Sequence, residues 1–391
     1  SGLVRRRYWI CGFNKKIVCR CGCSGRCTFD AVFSVIAWMF RALASMRFPR
    51  VNHLGLKFRK NTYRWRLAVK TKARRVGGVC LRKSGDWSWL KSALGLRGWR
   101  GDKGTGRMCW MCGATFCSHS DAHCYNARSD AGWRKTMLTM IMFWREVSAK
   151  EQYKSTIWEL PGFCLRYVKT DFMHIVCLGI LQYLQGNVLH ELFKTMGGTF
   201  KNHELACNNL LNMVRVAAAN LGVESPISVI TITLVRADAS AKPKFKIKAV
   251  EGRHFLPLLH YILTHFFPIE NEHDRLRLQC VAALNKIYLE LQNWDVQESP
   301  DRVRTWGRQH VMLFRQLSQQ SEDELLWNLF PKHHLFLHTT DVLKTNPADE
   351  WVYSDEAEIF CGVKIAQQTN VNSICTLVME RYGVTFRVDG S

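Results

Sequence analysis

The sequence predicts a mixed α/β core interrupted by a large all-helical insertion, and three observations predict it. Two short apolar runs, 76–81 and 163–168, read as strands, and each leads to an aspartate, Asp86 and Asp171. From 175 to about 330 the apolar residues recur almost entirely at helical spacing. Beyond 331 the pattern turns mixed again, so the helical stretch falls inside the core. These shifts divide the chain into four parts: a basic, Cys-rich N-terminal region (1–75), a first part of the core with a Cys-rich segment (76–174), the insertion (175–330) and a last part of the core (331–391).

The elements follow in order. Residues 3–27 read as a strand, a turn and a Cys/Gly-rich loop. Thr28 is placed to cap a helix through Met46, with Phe33, Ile36, Ala37, Phe40, Leu43 and Ala44 on its apolar face. Residues 47–75 are basic and irregular, with Tyr63 and Trp65 among the cations. Rings between cations suit base stacking with phosphate contact, and equally a basic loop anchored by buried rings. The strand at 76–81 delivers Ser84, Gly85 and Asp86, and a helix follows over 87–96. Another helix is expected over 133–147, and a strand over 227–235 inside the polar stretch near 224–246. Ser354, Asp355 and Glu356 open a last helix, with Ile359, Phe360 and Val363 on one face.

Charge is unevenly placed. The formal net charge is +23, yet residues 1–100 hold 24 of the 55 Lys and Arg and only 2 of the 32 Asp and Glu. The whole excess therefore lies in the first quarter, which fits a surface facing a polyanion, nucleic acid above all. The candidate contacts are Arg64, Arg66, Lys70, Lys72, Arg74 and Arg75. No run of about 18 uncharged apolar residues occurs, so neither a membrane-spanning helix nor a membrane partner is expected. The basic opening Arg5-Arg6-Arg7 has no apolar run behind it, which argues against a secretory signal. The chain starts without Met and reads as a fragment or processed product.

The 16 cysteines cluster. Cys109-Trp110-Met111-Cys112 sets two thiolates at zinc-knuckle spacing. The other two ligands are either local, from Cys117, His119, His123 and Cys124, or remote, from His333 or His334 with His338. Cys19, Cys21, Cys23 and Cys27 form another group with metal-binding chemistry but an unfamiliar spacing. Clustered thiols without a secretory signal suit a reduced, intracellular protein. The acidic points Asp86, Asp171 and Asp355-Glu356 offer a second chemistry. Carboxylates converging on Mg²⁺ or Mn²⁺ activate the attacking oxygen and stabilise the leaving one in phosphodiester cleavage. Helix starts favour acids in any case, so the pattern alone leaves both readings open.

The order of these motifs, Gly85-Asp86 before a helix, CxxC, Thr170-Asp171-Phe172-Met173-His174, a long helical stretch, Pro331 to His338, then Ser354 to Gly362, resembles DDE-type cut-and-paste DNA transposases. It looks closest to the CACTA (En/Spm)-like group and is similar in layout to the V(D)J recombinase catalytic subunit. The resemblance spans roughly residues 5–380 and implies a ribonuclease H-like fold. It implies that Asp86 is the second catalytic aspartate and Glu356 the third acid, with Asp355 and Glu358 as rivals. It implies that Cys109 and Cys112 share structural Zn²⁺ with His333 and His338, and that Asp171 and His174 are structural or metal-organising rather than part of the acidic triad. The family's first aspartate has no counterpart, because Asp30 is the only acid before Asp86 and sits at a helix start. The chain is expected to begin after that point.

Three functions follow as expectations. The first is metal-dependent DNA strand cleavage and transfer, with Mg²⁺ or Mn²⁺ and no small-molecule substrate. The second is a catalytically inactive, zinc-containing DNA-binding protein derived from a transposase. The third is a basic zinc-containing RNA-binding scaffold. Duplex DNA is the expected partner, with homo-oligomers and a nuclear location carried over from the family.

Overall fold

Helices carry more than half of the residues that the computed structural model describes, namely 18–23, 25–69, 83–85, 87–96, 107–149, 155–199, 202–236 and 238–351. The expected mixed α/β, ribonuclease H-like core does not form. The strand expected at 76–81 lies outside the described residues, and the two described strands have three residues each, β1 (Lys83–Gly85) and β2 (Val168–Thr170), which pair in parallel with Ser84 opposite Lys169. No further strand joins them among the described residues. A parallel sheet is normally a buried layer with helices on both faces, and two three-residue strands cannot make one. Much of the apolar run at 163–168 folds instead as a 3₁₀ turn, Leu165–Tyr167. A short apolar run does not reveal its period, and here packing chose the tighter turn.

A first group of helices precedes residue 150, and of these α3 contacts β1. It comprises α1 (Arg26–Ser45), α2 (Tyr63–Val69), α3 (Trp87–Leu94), α4 (Gly132–Lys135) and α5 (Met140–Ala149). Phe33 and Ala37 of α1, Leu90 and Leu94 of α3, Phe143 of α5, and Trp158 and Val168 are buried in one cluster. The Trp158 indole N–H donates to the Leu94 carbonyl at 2.9 Å, which satisfies its polar end. Arg41 pairs with Glu159 and Thr156 Oγ1 approaches Asp30, so α1 is tied to the 3₁₀ turn Thr156–Glu159. By length and composition α1 passes as a membrane span, with a mean hydropathy of 1.5 over its best 18 residues. Counting only uncharged runs missed it, because Arg26, Asp30 and Arg41 interrupt the helix. The helix expected over 133–147 is broken. Thr136 ends α4, and the Thr139 hydroxyl accepts the Met142 N–H at the start of α5.

The second group is larger. A π-helical turn, Met173–Ile180, runs into α6 (Leu181–Thr195). Then come α7 (Glu204–Leu221), α8 (Ile232–Val235), α9 (Ala249–His265), α10 (Glu272–Gln292), α11 (Ser299–Gln320) and α12 (Pro331–Asp341). Sequence sets their ends. Gly222 stops α7 with a left-handed φ of 65°, Asn271 caps α10 by accepting from the Asp274 N–H, and Pro300 and Pro331 sit in first turns. The strand expected at 227–235 is the single turn α8, capped by Thr231. Helix α10 packs along α11, α11 against α12, and α12 against the π-helical turn. Leu184, Leu284, Val311, Phe314, Trp327 and Phe336 are buried together at their centre. The same cluster takes in Cys109, Cys112 and Trp133, so the Cys-rich segment is part of the helical core.

Candidate metal centre

Two separate pieces of chain build the centre. The segment 107–124 turns back on itself through bridges from Thr115 to Arg107 and to His123, and this presents Cys109 and Cys112 from one tight turn. Gly113 is needed there, because a Cβ would lie 2.9 Å from the Thr136 hydroxyl that accepts its N–H. The other piece is α12, whose His334 and His338 lie four residues apart and so share one helix face.

Cys109, Cys112, His334 and His338 meet in the core, all four buried, with their ligand atoms within 4.8 Å of one another. His338 Nε2 lies 3.5 Å from Cys109 Sγ and 3.3 Å from Cys112 Sγ, and His334 Nε2 lies 3.4 Å from Cys112 Sγ. The two Nε2 atoms are 3.0 Å apart. Tetrahedral zinc, with Zn–N about 2.0–2.1 Å and Zn–S about 2.3 Å, needs ligand atoms about 3.3–3.8 Å apart. The group is therefore a buried metal-binding set whose chemistry and spacing suit zinc.

The surroundings fix the ligands. His334 Nδ1 donates to the Cys124 carbonyl at 2.7 Å, which leaves Nε2 as the lone-pair nitrogen facing the thiols. Trp133 stands against both imidazoles, its ring centroid 4.8 Å from His334 and 4.7 Å from His338. Arg134 lies over Trp133 at 4.1 Å and pairs with Asp341 at 2.8 Å, and Arg308 pairs with the same carboxylate at 2.8 Å. Burial opposes ionisation of Cys109. The hydrogen bond from Cys112 and the fields of His338 and His334 outweigh it and hold that thiol well below its ordinary range. Burial and the same bond push Cys112 up.

No protein-family model, characterised protein or solved structure matches the chain. The residues themselves carry the functional argument.

All four members are residues the sequence names: Cys109, Cys112, His338 and, as one of two remote alternatives, His334. His333, which the resemblance implies as the fourth, is replaced by His334. On a helix a residue five positions away points about 140° off the first, whereas one four away stays on the same face. His333 instead packs between Phe314 and Phe330, at 4.6 and 4.8 Å, and burial pushes its pKa down to about 3. The local alternative does not assemble either. Cys117 is exposed, and Cys124 contributes its carbonyl rather than its thiol to the site.

Asp171 and His174 do not join the centre. Asp171 is buried at the end of β2, and its Oδ2 accepts from the His174 backbone N–H and faces His174 Nδ1, both at 2.8 Å. The pair is an internal clasp at the start of the π-helical turn. Asp171 Oδ1 is buried without a hydrogen-bond partner, and Asp171 and His338 line one cleft together with Met111, Tyr167 and Leu343. The proposed catalytic residues Asp86 and Glu356, with Asp355 and Glu358, lie outside the described residues, as do Lys70, Lys72, Arg74 and Arg75. Among the described residues the groups with metal-binding geometry consist of Cys and His alone, so a Mg²⁺ or Mn²⁺ carboxylate site has no support there. Asp30, the only acid before Asp86, is engaged with Thr156. Arg64 and Arg66 are exposed on α2, with the Arg64 guanidinium 5.9 Å from the Trp38 ring.

The residues alone left His333 and His334 open, and the choice of His333 followed the resemblance; sequence reasoning missed Trp133 and the Cys124 carbonyl. The i, i+4 spacing of His334 and His338 was a usable signal for choosing between the two histidines. Nothing local marks Trp133 or the Cys124 carbonyl, because their roles depend on contacts between distant segments.

Proposed function

We propose that the chain is a duplex DNA-binding protein that grips phosphates through its basic N-terminal region. Zinc at Cys109, Cys112, His334 and His338 fastens its Cys-rich segment to α12. The observation that carries this reading is the basic stretch itself. Between Asp30 and Asp86 there are 14 Lys and Arg and no acidic residue. Within it Arg47, Arg50, Lys57, Arg59, Lys60, Arg64 and Arg66 are exposed beside an exposed Tyr63. Phosphate neutralisation by such side chains releases counterions and supplies affinity without sequence readout. The metal centre supports a structural role. Four protein ligands in a buried site leave no position for water or substrate, which is the pattern of a structural rather than a catalytic zinc.

The test is binding of the purified chain to labelled duplex DNA and to single-stranded RNA of equal length at the same ionic strength. Preference for the duplex is expected. Preference for the RNA would replace this reading by that of an RNA-binding scaffold. A second reading, metal-dependent strand cleavage, is favoured by one observation, the unpartnered carboxylate oxygen of Asp171 in a residue that lines a cleft. Mn²⁺-dependent nicking of duplex DNA that disappears in both Asp171→Asn and Asp86→Ala would establish it. No nicking with binding retained would leave the protein a binding module.

A further inference from the structure

We propose that Cys19, Cys21, Cys23 and Cys27 form a second metal site, a four-thiolate cage for zinc at the start of α1. Their sulfur atoms all lie within 4.8 Å of one another. Cys19 Sγ is 3.1 Å from Cys21 Sγ, and Cys21 Sγ is 3.8 Å from Cys27 Sγ. A tetrahedral shell with Zn–S of about 2.3 Å places its sulfurs about 3.8 Å apart, so a small outward adjustment seats the ion.

The loop is shaped to bring these sulfurs together. Gly22 and Gly25 both hold left-handed backbone, at φ 86° and 83°, and so turn the chain twice between Cys21 and Cys27. A Cβ on Gly25 would lie 2.6 Å from Val18 Cγ1. The Cys19 N–H donates to the Thr28 hydroxyl at 2.9 Å, and the Arg26 N–H to the Cys23 carbonyl at 3.2 Å. These bonds fold residues 18–23 onto the first turn of α1, where Cys27 stands. Thr28, the residue expected to cap the helix, is used for this closure, and the N-cap Gly25 has no side chain to offer.

Electrostatics favour a sulfur-only site here. Zinc with four thiolates carries a charge of about −2, which is costly near acids and welcome among cations. Arg20 and Arg26 flank the loop, and the acid-free basic stretch follows Asp30. The Cys27 backbone N–H, aided by the Cys21 thiol, pulls the Cys23 thiol down to about 6, while hydrogen bonding within the cluster pushes Cys27 up to about 12. The ion would displace the thiol protons on binding. Cys21 and Cys27 are exposed, unlike every ligand of the first centre, so a chelator reaches this cage first.

Zinc content of the full chain, purified under reducing conditions and measured by mass spectrometry of the metal, tests the proposal. Two ions per chain are expected, falling to one in Cys21→Ser/Cys23→Ser and to one in Cys109→Ser. Cobalt substitution supplies an independent readout that identifies the ligands. Sulfur-to-cobalt charge-transfer absorption scales with the number of bound thiolates. Loss of four of six thiolates in Cys21→Ser/Cys23→Ser removes about two thirds of that band, with the spectrum of a two-sulfur, two-nitrogen site left behind. A metal content unchanged by Cys21→Ser/Cys23→Ser would overturn the second site, as would disulfide bonds among these cysteines in the reduced preparation. Neither result bears on the first centre, which Cys109→Ser reports separately.

Discussion

His334 donates its Nδ1 proton to the Cys124 carbonyl at 2.7 Å, and this one bond selects which imidazole nitrogen faces the thiols of Cys109 and Cys112. It joins α12 to the Cys-rich segment even before a metal does. The neighbouring His333 faces the other way, into Phe314 and Phe330. His334→Ala is therefore expected to lose the zinc of this centre. Because a folding-coupled ion goes with it, more than about 4 kcal/mol of stability is expected to be lost. His333→Ala is expected to cost a few kcal/mol of packing, about 2–4, while zinc binding at this centre is retained. Metal analysis beside denaturant unfolding separates the two. Equal zinc loss in both variants would refute the assignment.

A chelator tests the same centre without mutation. Removal of zinc at neutral pH is expected to lower the unfolding midpoint sharply and to expose Trp133, which packs on both His334 and His338. Tryptophan emission should shift to the red with the loss of metal. Restoration of zinc should reverse both changes.

The readable and unreadable parts of the molecule differ in the range of the contacts involved. Phe33, Ile36, Ala37 and Phe40 announce α1 because helical spacing is a local property, and the CxxC turn is local too. The failure at 163–168 has the opposite cause. Whether that short run extends into a sheet depends on neighbours that the sequence does not place, and only three residues of β2 find a partner. Trp133 and Cys124 belong to the metal centre only because α12 arrives from about two hundred residues away. The choice between His333 and His334 was decidable from the helix period, once 331–341 is read as helix.

Lys332 and Gly179 make a second long-range contact with a clear energetic consequence. A π-helical turn presents its carbonyls less regularly than an α-helix, and the Lys332 ammonium donates to the His174 and Leu178 carbonyls at 2.8 and 3.0 Å. The Lys332 stem crosses directly over Gly179, where a Cβ would lie 2.4 Å from Cδ. Gly179→Ala is expected to cost about 1–3 kcal/mol by overpacking. Lys332→Met removes the ammonium but leaves a flexible stem, so the double variant should be less destabilised than the sum of the singles. Additive costs in denaturant unfolding would contradict this coupling.

His310 makes the stability depend on acid. It is fully buried, with Nδ1 donating to the Cys280 carbonyl at 3.0 Å, and burial pushes its pKa down to about 4. A histidine depressed in the folded state stays neutral there, while the unfolded chain takes up a proton below about 6.5. The stabilisation is complete above that value and falls as pH drops toward 4, by about 1.4 kcal/mol per pH unit. In His310→Leu the slope of stability against pH between 4.5 and 6 should be shallower by one proton. Equal slopes in the two proteins would show that His310 does not titrate in this way.

Arg64 and Arg66 test the basic surface where its side chains are exposed on α2. Each phosphate contact contributes about −0.9 to the slope of log affinity against log salt on duplex DNA. Arg64→Ala/Arg66→Ala should therefore make the slope shallower by about two and weaken binding to all duplex sequences alike. Because both guanidinium groups are exposed, unfolding midpoints should change little. Only Arg64 has a ring contact, at 5.9 Å from Trp38, so a small loss of stability would point to that contact. Affinity lost with the salt slope unchanged would mean that these residues act through the fold and that the phosphates are gripped elsewhere on the basic stretch.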